Sequence, residues 1–225
     1  MSDYEFHLMQ LSDSFFPSGM FGLSGGLESF VKSGRIRSEN NVLRFIRQQV
    51  KFQLVPCDCA VLLAVMNAAK KDDIEGAVVA DNLFYSMKLT REARTASTRS
   101  GRQLLICVMN MKNDGFANKF YNRIEERESA GSYPACLAVS ANALGIPEKS
   151  TLRMMLYSYC ASIVGSAIRL GVISHIEGQG ILMRVARDVN SAKPKNNINE
   201  LWQLMPLSEI MQMQHELDDL RMFIT

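Results

Sequence analysis

The stretch that decides the fold is LRMMLYSYCASIVGSAIRL, Leu152 to Leu170. Its apolar residues fall on every side of a helical projection rather than on one stripe. A helix that is apolar all round is a buried helix, in a membrane or at the centre of a bundle. Arg153 and Arg169 interrupt the run before it reaches the ~20 apolar residues a membrane span needs. The reading is therefore a central helix sheathed by others, in an element taken to cover about residues 148–187. Pro147 suits its start, because the N–H that proline lacks would have no partner there. Gly165, Ser162 and Ser166 are small and let a neighbouring helix come close. Arg169 is the odd residue. A guanidinium near a core is costly unless paired, so Arg169 is expected to be mostly buried and bonded to carboxylates or helix-end carbonyls. A clamp between helices is preferred over a direct ligand role.

Working outward, 225 residues fit one domain or a single large bundle. A hydrophobic share of 47% excludes general disorder, and a net charge of +2 gives no global argument for nucleic acid. The five cysteines are odd in number and sit inside apolar runs (Cys107, Cys136, Cys160) or as Cys57-x-Cys59. That is not a disulfide framework, and a reducing, cytoplasmic setting is expected. MSDYEFHLMQ has no basic segment ahead of an apolar one, so no signal peptide is expected. The fourteen methionines are read as core filler before adaptable contact surface.

Upstream, Ser12 to Gly26 is rich in glycine and serine but carries Phe15, Phe16, Met20, Phe21 and Leu23, so it reads as a packed loop. No Gly-Lys-Ser/Thr follows, which excludes a P-loop. A helix is expected from Leu27 to Lys32, stopped at Gly34. Another is expected after Ser38 as N-cap, with Val42, Phe45, Ile46, Gln49 and Val50 inward. Pro56 should break or kink it, and Asp58 should cap a new helix through Lys71. Further helices follow from Asp72–Asp73, over Thr90 to Val108, over Phe116 to Ser129, and from Pro134 to Gly145. SAKPKNNIN, Ser191 to Asn199, is the clearest linker. No alternating strand pattern and no internal repeat appears. The class is all-α, a single helical bundle over 1–190, with a linker and short helix at 191–205 and a separate segment at 206–225.

No constellation announces catalysis. His7, His175 and His215 are far apart and match no metal-ligand spacing, and Cys57-x-Cys59 has no second pair. Arg91, Arg94, Arg99 and Arg102 cluster on one side of a helix, which could meet phosphates. No aromatic residues interleave for base stacking, so a solvated face or a face for an acidic protein partner is preferred. The chemistry points to a binding protein. The rival classes are a helical metal-dependent hydrolase using His7, His175 and Cys57 or Asp58, and a basic nucleic-acid binder whose affinity would fall steeply with salt.

Four segments together resemble the UreF family of urease accessory proteins. The opening matches at Gln10-Leu11, Pro17, Gly19, Phe21 and Ser24 to Glu28. REARTASTRSGRQLL resembles the family's Glu-x-Arg-x-x-Ser-x-x-x-Gly-Arg helix at Glu92, Arg94, Ser97, Gly101 and Arg102. AIRLGVISHIEGQGIL matches at Arg169, Leu170, Gly178 and Gln179, but Val172 to Ile176 replaces the family's Pro-Leu-Gly-Gln-Thr, and without that proline the helix is expected to carry on or to restart after a break. HELDDLRMFIT resembles the family ending, with Met222 for leucine and Thr225 for serine. The resemblance implies a cytoplasmic, all-α homodimer that is not an enzyme, holds no cofactor of its own and binds neither nucleic acid nor membrane. It implies partners: a UreD/UreH-type accessory protein, the GTPase UreG and apo-urease, with nickel handled by the complex. On that basis residues 206–225 are expected to dock the accessory partner. His215, Glu216, Arg221, Met222, Phe223, Glu28, Arg94 and Arg102 are the expected partner-binding residues, and Arg169, Gly165, Pro17 and Gly19 the structural ones.

Overall fold

The computed structural model describes residues 2–19, 24–218 and 222–223. Among them every regular element is helical, so the all-α expectation holds. Several helices begin where the chain supplies a cap. α1 (Asp3–Ser12) opens with the Ser2 N–H donating to Glu5 Oε2 at 2.7 Å. α2 (Leu27–Lys32) follows Gly25 and Gly26, at φ 60° and 88°, and closes at Gly34, φ 69°. α3 (Glu39–Gln49) starts at Ser38, whose hydroxyl accepts from the Asn41 N–H. α5 (Ile74–Met87), α6 (Arg91–Met111) and α7 (Gly115–Glu125) start the same way from Asp73, Thr90 and Asp114. Such caps satisfy N–H groups that a helix start leaves without partners.

Pro56 does not break its helix. α3 runs into a π-helical stretch, Val50–Asp58, and on into α4 (Cys59–Lys70) without interruption. Proline has no N–H for the carbonyl four residues back and its ring crowds that carbonyl; here the turn widens instead. The Phe52 carbonyl accepts from the Leu204 N–H at 2.9 Å, and that of Pro56 from Trp202 at 3.5 Å. Asp58 is not a cap either. Its carboxylate takes the Lys88 ammonium at 2.9 Å, in a pair whose side chains are 13% and 6% exposed. The whole run Glu39–Lys70 is long and apolar enough to cross a membrane, yet 61% of its apolar window is buried inside the protein.

The most enclosed helix is α8 (Tyr133–Ala143), ten of whose eleven residues are buried. Its alanines, Cys136 and Ser140 let α4, α5, α6, α7 and α9 (Glu148–Arg169) close around it. The expected central element divides in two: α9 (Glu148–Arg169) and α10 (His175–Ser191). Gly171 at φ 70° ends α9, and Ser174 and Glu177 cap each other's backbone to begin α10. A cap and a left-handed glycine break the helix without the family's proline. α9 packs on α1, α2, α3, α4, α8 and α10, so it does hold the bundle together, but Arg153, Tyr157 and Arg169 are on the outside. Arg169 is therefore exposed, against expectation. At the last turn of α9 its chain folds back, donating from Nε to the Gly165 carbonyl and from Nη2 to the Ser166 hydroxyl, both at 3.2 Å. A cation at a helix C-terminus meets the negative end of the dipole there. In the glycine-rich opening loop Phe16 is buried while Phe15, Pro17 and Gly19 are exposed, with Gly19 at φ 76°. Met20, Phe21 and Leu23 lie outside the described residues.

Beyond α10 the chain passes a short 3-10 turn (Ile198–Glu200), then an extended strip tied to the π-helix, then α11 (Pro206–His215), which packs on α2 and α6. The polar stretch at 191–199 is thus followed by a segment seated on the body, not held away from it.

Candidate partner-docking site

Four elements meet at the end of α11: the first turn of α2, the first turn of α6, α11 itself and the chain end. α11 turns Ser208, Met211 and His215 inward, at i, i+3 and i+7. Ser208 Oγ accepts from the Gln49 amide at 3.1 Å. His215 has no exposed surface. Its Nδ1 lies 2.9 Å from Glu92 Oε2 and its Nε2 lies 3.1 Å from Glu28 Oε2, so the ring is held between two carboxylates. Glu28 also accepts the backbone N–H groups of Met222, at 3.0 Å, and Phe223, at 3.1 Å, and pairs with Lys32 at 3.2 Å. Burial pushes the Glu28 carboxyl upward, but these donors outweigh it and hold the group below the usual carboxylate range. Glu216 caps the start of α6, accepting the Glu92 N–H at 3.0 Å. Phe223 is 5% exposed, with the Arg169 guanidinium 4.4 Å from its ring centroid.

Of the residues expected to face a partner, Glu28, His215 and Phe223 are thus buried, and they act on the surface only by seating the segment that forms it. Two acid groups at helix starts sit beside positive helix ends, which is why they can accept an inward histidine and two amides. Met222 is exposed, and Arg221 lies outside the described residues. Glu92 was legible only as a motif residue; nothing in the sequence paired it with His215.

The outer side of this segment is apolar. Leu204, Leu207, Ile210, Met213, Leu217 and Met222 are all exposed, Leu217 at 84%. α11 therefore has one side seated and a second, apolar side against water, the kind of patch that marks interaction sites.

Arg94 and Arg102 are not part of this cluster. Arg94 lies over the Tyr85 ring, 5.6 Å from its centroid. Arg102 Nη2 donates to the Ile124 carbonyl at 3.2 Å and to Glu125 at 3.1 Å, tying α6 to the end of α7. Ser97 Oγ accepts the Tyr133 N–H at the start of α8. A Cβ on Gly101 would stand 2.5 Å from the Gly131 carbonyl oxygen. Buried Asp81 accepts from the Ser129 hydroxyl and the Gly131 and Ser132 N–H groups. The Ser-x-x-x-Gly-Arg pattern thus clasps α6 to the loop between α7 and α8. Gly178 likewise lets α10 lie close on α9, where a Cβ would stand 2.8 Å from Val164.

No group of three or more metal-ligating side chains occurs among the described residues. His7 is on α1 and His175 in the first turn of α10, while Asp58 is engaged by Lys88. Burial pushes the Cys57 thiol up to about 12, far from a reactive thiolate.

Comparison with known proteins agrees with the geometry. The UreF family model matches residues 36–186. A urease accessory protein UreF of Trichodesmium erythraeum is 30% identical over 92% of this chain and 91% of its own. One of Yersinia enterocolitica is 27% identical over 96% of each, and one of Photorhabdus laumondii 28% identical over 92% of each. With its helical motifs clasping the bundle and its ends matching as well, this chain belongs to the UreF family of urease accessory proteins.

Proposed function

We propose that the chain is a non-enzymatic scaffold of urease maturation, joining a UreD/UreH-type protein to the GTPase UreG so that apo-urease receives nickel. Nickel is cargo of the assembled complex, and the assembly works in the cytoplasm. The observation that carries the docking part is the exposed apolar stripe from Leu204 to Met222 on a segment anchored from beneath by Glu28 and His215. A surface that is both rigidly seated and apolar loses little conformational entropy on binding. The accessory protein is assigned to this stripe, with Met222 at its end. A homodimer through helix faces is the second part of the reading, supported by exposed Ile176 and Met183 at i and i+7 on α10.

The test is capture of purified UreD/UreH-type protein by a Leu207→Asp/Ile210→Asp variant. Both side chains are outward, so melting should match wild type while capture is lost. Wild-type capture by a folded variant removes the stripe as the docking site. Light scattering at micromolar concentration checks the dimer, and a monomer mass counts against it.

A further inference from the structure

The stripe on α11 accounts for one partner and leaves the basic side of α6 unused. Two of its four arginines are engaged: Arg94 lies on Tyr85, and Arg102 is tied to Ile124 and Glu125. Arg91 and Arg99 are exposed, and among the described residues neither has a carboxylate within ion-pair distance. They are eight residues apart on one helix, so they sit about 12 Å apart along its axis and about 80° apart around it, on one broad side. Ile106, exposed, continues the same side about two turns further on. Beside Arg99 a shallow groove of about 510 Å³ opens between α6 and α7, walled by Gln103, Ile106 and Tyr121. Its acid, Glu125, is already neutralised by Arg102. The face thus offers cation, cation and apolar seat in succession along one broad side of α6.

We propose that this face docks an acidic helix of a protein partner, one that presents two carboxylates about two turns apart and then an aliphatic side chain. The carboxylates take Arg91 and Arg99, each through a planar two-donor contact, and the aliphatic group lies on Ile106 and Tyr121. The inference rests on the scaffold reading, because it supplies the second of two separate docking faces. A nucleic acid fits worse. The groove offers Tyr121 alone as a stacking ring, and the chain's net charge is only +2.

The experiment has two arms. In the first, Arg91→Glu/Arg99→Glu is compared with wild type for capture of purified UreG and of purified UreD/UreH-type protein. Both positions are on the surface and an acid in the first turn of α6 is tolerated, so melting should not change. Capture of UreG, the partner the stripe leaves over, should weaken roughly a hundredfold, two close charge pairs at about tenfold each. Capture of the UreD/UreH-type protein should be unaffected, and UreG capture should weaken with salt. Equal capture of both partners by the folded variant overturns the proposal. In the second arm, a synthetic helical peptide with two glutamates eight residues apart and a leucine seven further on is titrated by fluorescence anisotropy. The wild-type chain should bind it more tightly than its glutamine counterpart, and the variant should not discriminate. No discrimination by wild type, or tighter binding of an RNA oligonucleotide than of the glutamate peptide, also overturns it. If wild type captures neither protein, the scaffold reading fails, while the peptide arm still decides whether this face takes acidic helices.

Discussion

Glu28 offers the sharpest perturbation. Its carboxylate accepts from His215, Met222 and Phe223 and pairs with Lys32, all from a side chain 2% exposed. Hydrogen bonds to a charged group contribute about 1.5–3 kcal/mol each, but the chain end can lift and give its amides to water. The loss is then limited to the unpaired His215 and the burial of Phe223, itself worth about 2 kcal/mol. Together these put Glu28→Ala at about 3–4 kcal/mol, within the range for breaking a buried pair. For a chain of this size each kcal/mol is about 2–4 °C, so the melting point should fall by about 10 °C. Glu28→Gln keeps the volume and one acceptor oxygen and should cost about half as much. Differential scanning fluorimetry reads both, and limited proteolysis with mass spectrometry shows whether residues after His215 are cut first. If Glu28→Ala melts within about 1 °C of wild type and its end is cut no faster, the chain end is not held through this carboxylate.

The same group sets an acid limit. Its carboxyl is held below the ordinary value in the folded protein, so its contribution is complete above the unfolded glutamate pKa of about 4.3 and is lost as pH falls through the folded value. Below about pH 4 the chain end should become sensitive to an acid-active protease before the core does. Glu28→Gln should lack that step.

Gly101→Ala should destabilise by about 3 kcal/mol or more, or prevent folding, because the new methyl meets the Gly131 carbonyl at 2.5 Å and backbone cannot step aside. Gly115→Ala, with nothing within 4 Å, is the control and should be neutral or slightly stabilising by thermal melting. Lys88→Met should cost about 3–5 kcal/mol by leaving Asp58 buried without its partner, and Lys88→Met/Asp58→Leu should recover much of that in urea denaturation. Pro56→Ala restores an N–H that competes with Leu204 for the Phe52 carbonyl, so hydrogen exchange at Leu204 should speed up; unchanged exchange would mean proline is not what keeps that carbonyl open.

What the sequence showed and what it hid follow one physical division. Periodicity and caps are local, so the helices after Ser38, Asp73, Thr90 and Asp114 could be read directly. Pro56 misled, because whether a proline ends a helix or widens it depends on a distant N–H arriving to take the freed carbonyl. Here that donor is 148 positions on, at Leu204. The continuous element expected over 148–187 failed for a local reason that outranked composition: Ser174, Glu177 and Gly171 together make a stop and a start. Arg169 was misplaced because an apolar neighbourhood in sequence says nothing about which side of the last turn faces water. The cluster at the end of α11 was half legible. Glu28, His215, Met222 and Phe223 were named together, but their joint role depends on Glu92 and on the approach of α2 to α6, which no spacing encodes.

The family's marked residues turn mostly inward. Ser97, Gly101 and Arg102 close α6 on the α7–α8 loop, Gly178 lets α10 onto α9, and Glu28 and His215 fasten the chain end. Apart from Arg102, which also lines the groove beside Arg99, none of these side chains is placed to grip a partner directly. What a partner would meet is the apolar row from Leu204 to Met222 and the cationic row of Arg91 and Arg99, ordinary residues held in position by the buried ones. A substitution at a marked residue should therefore act through stability first and binding second, with capture and melting falling together. One on either exposed row should separate the two, losing capture at unchanged melting. That contrast distinguishes a residue that shapes the scaffold from one that touches its partner, and it requires only melting and capture to be measured on the same set of variants.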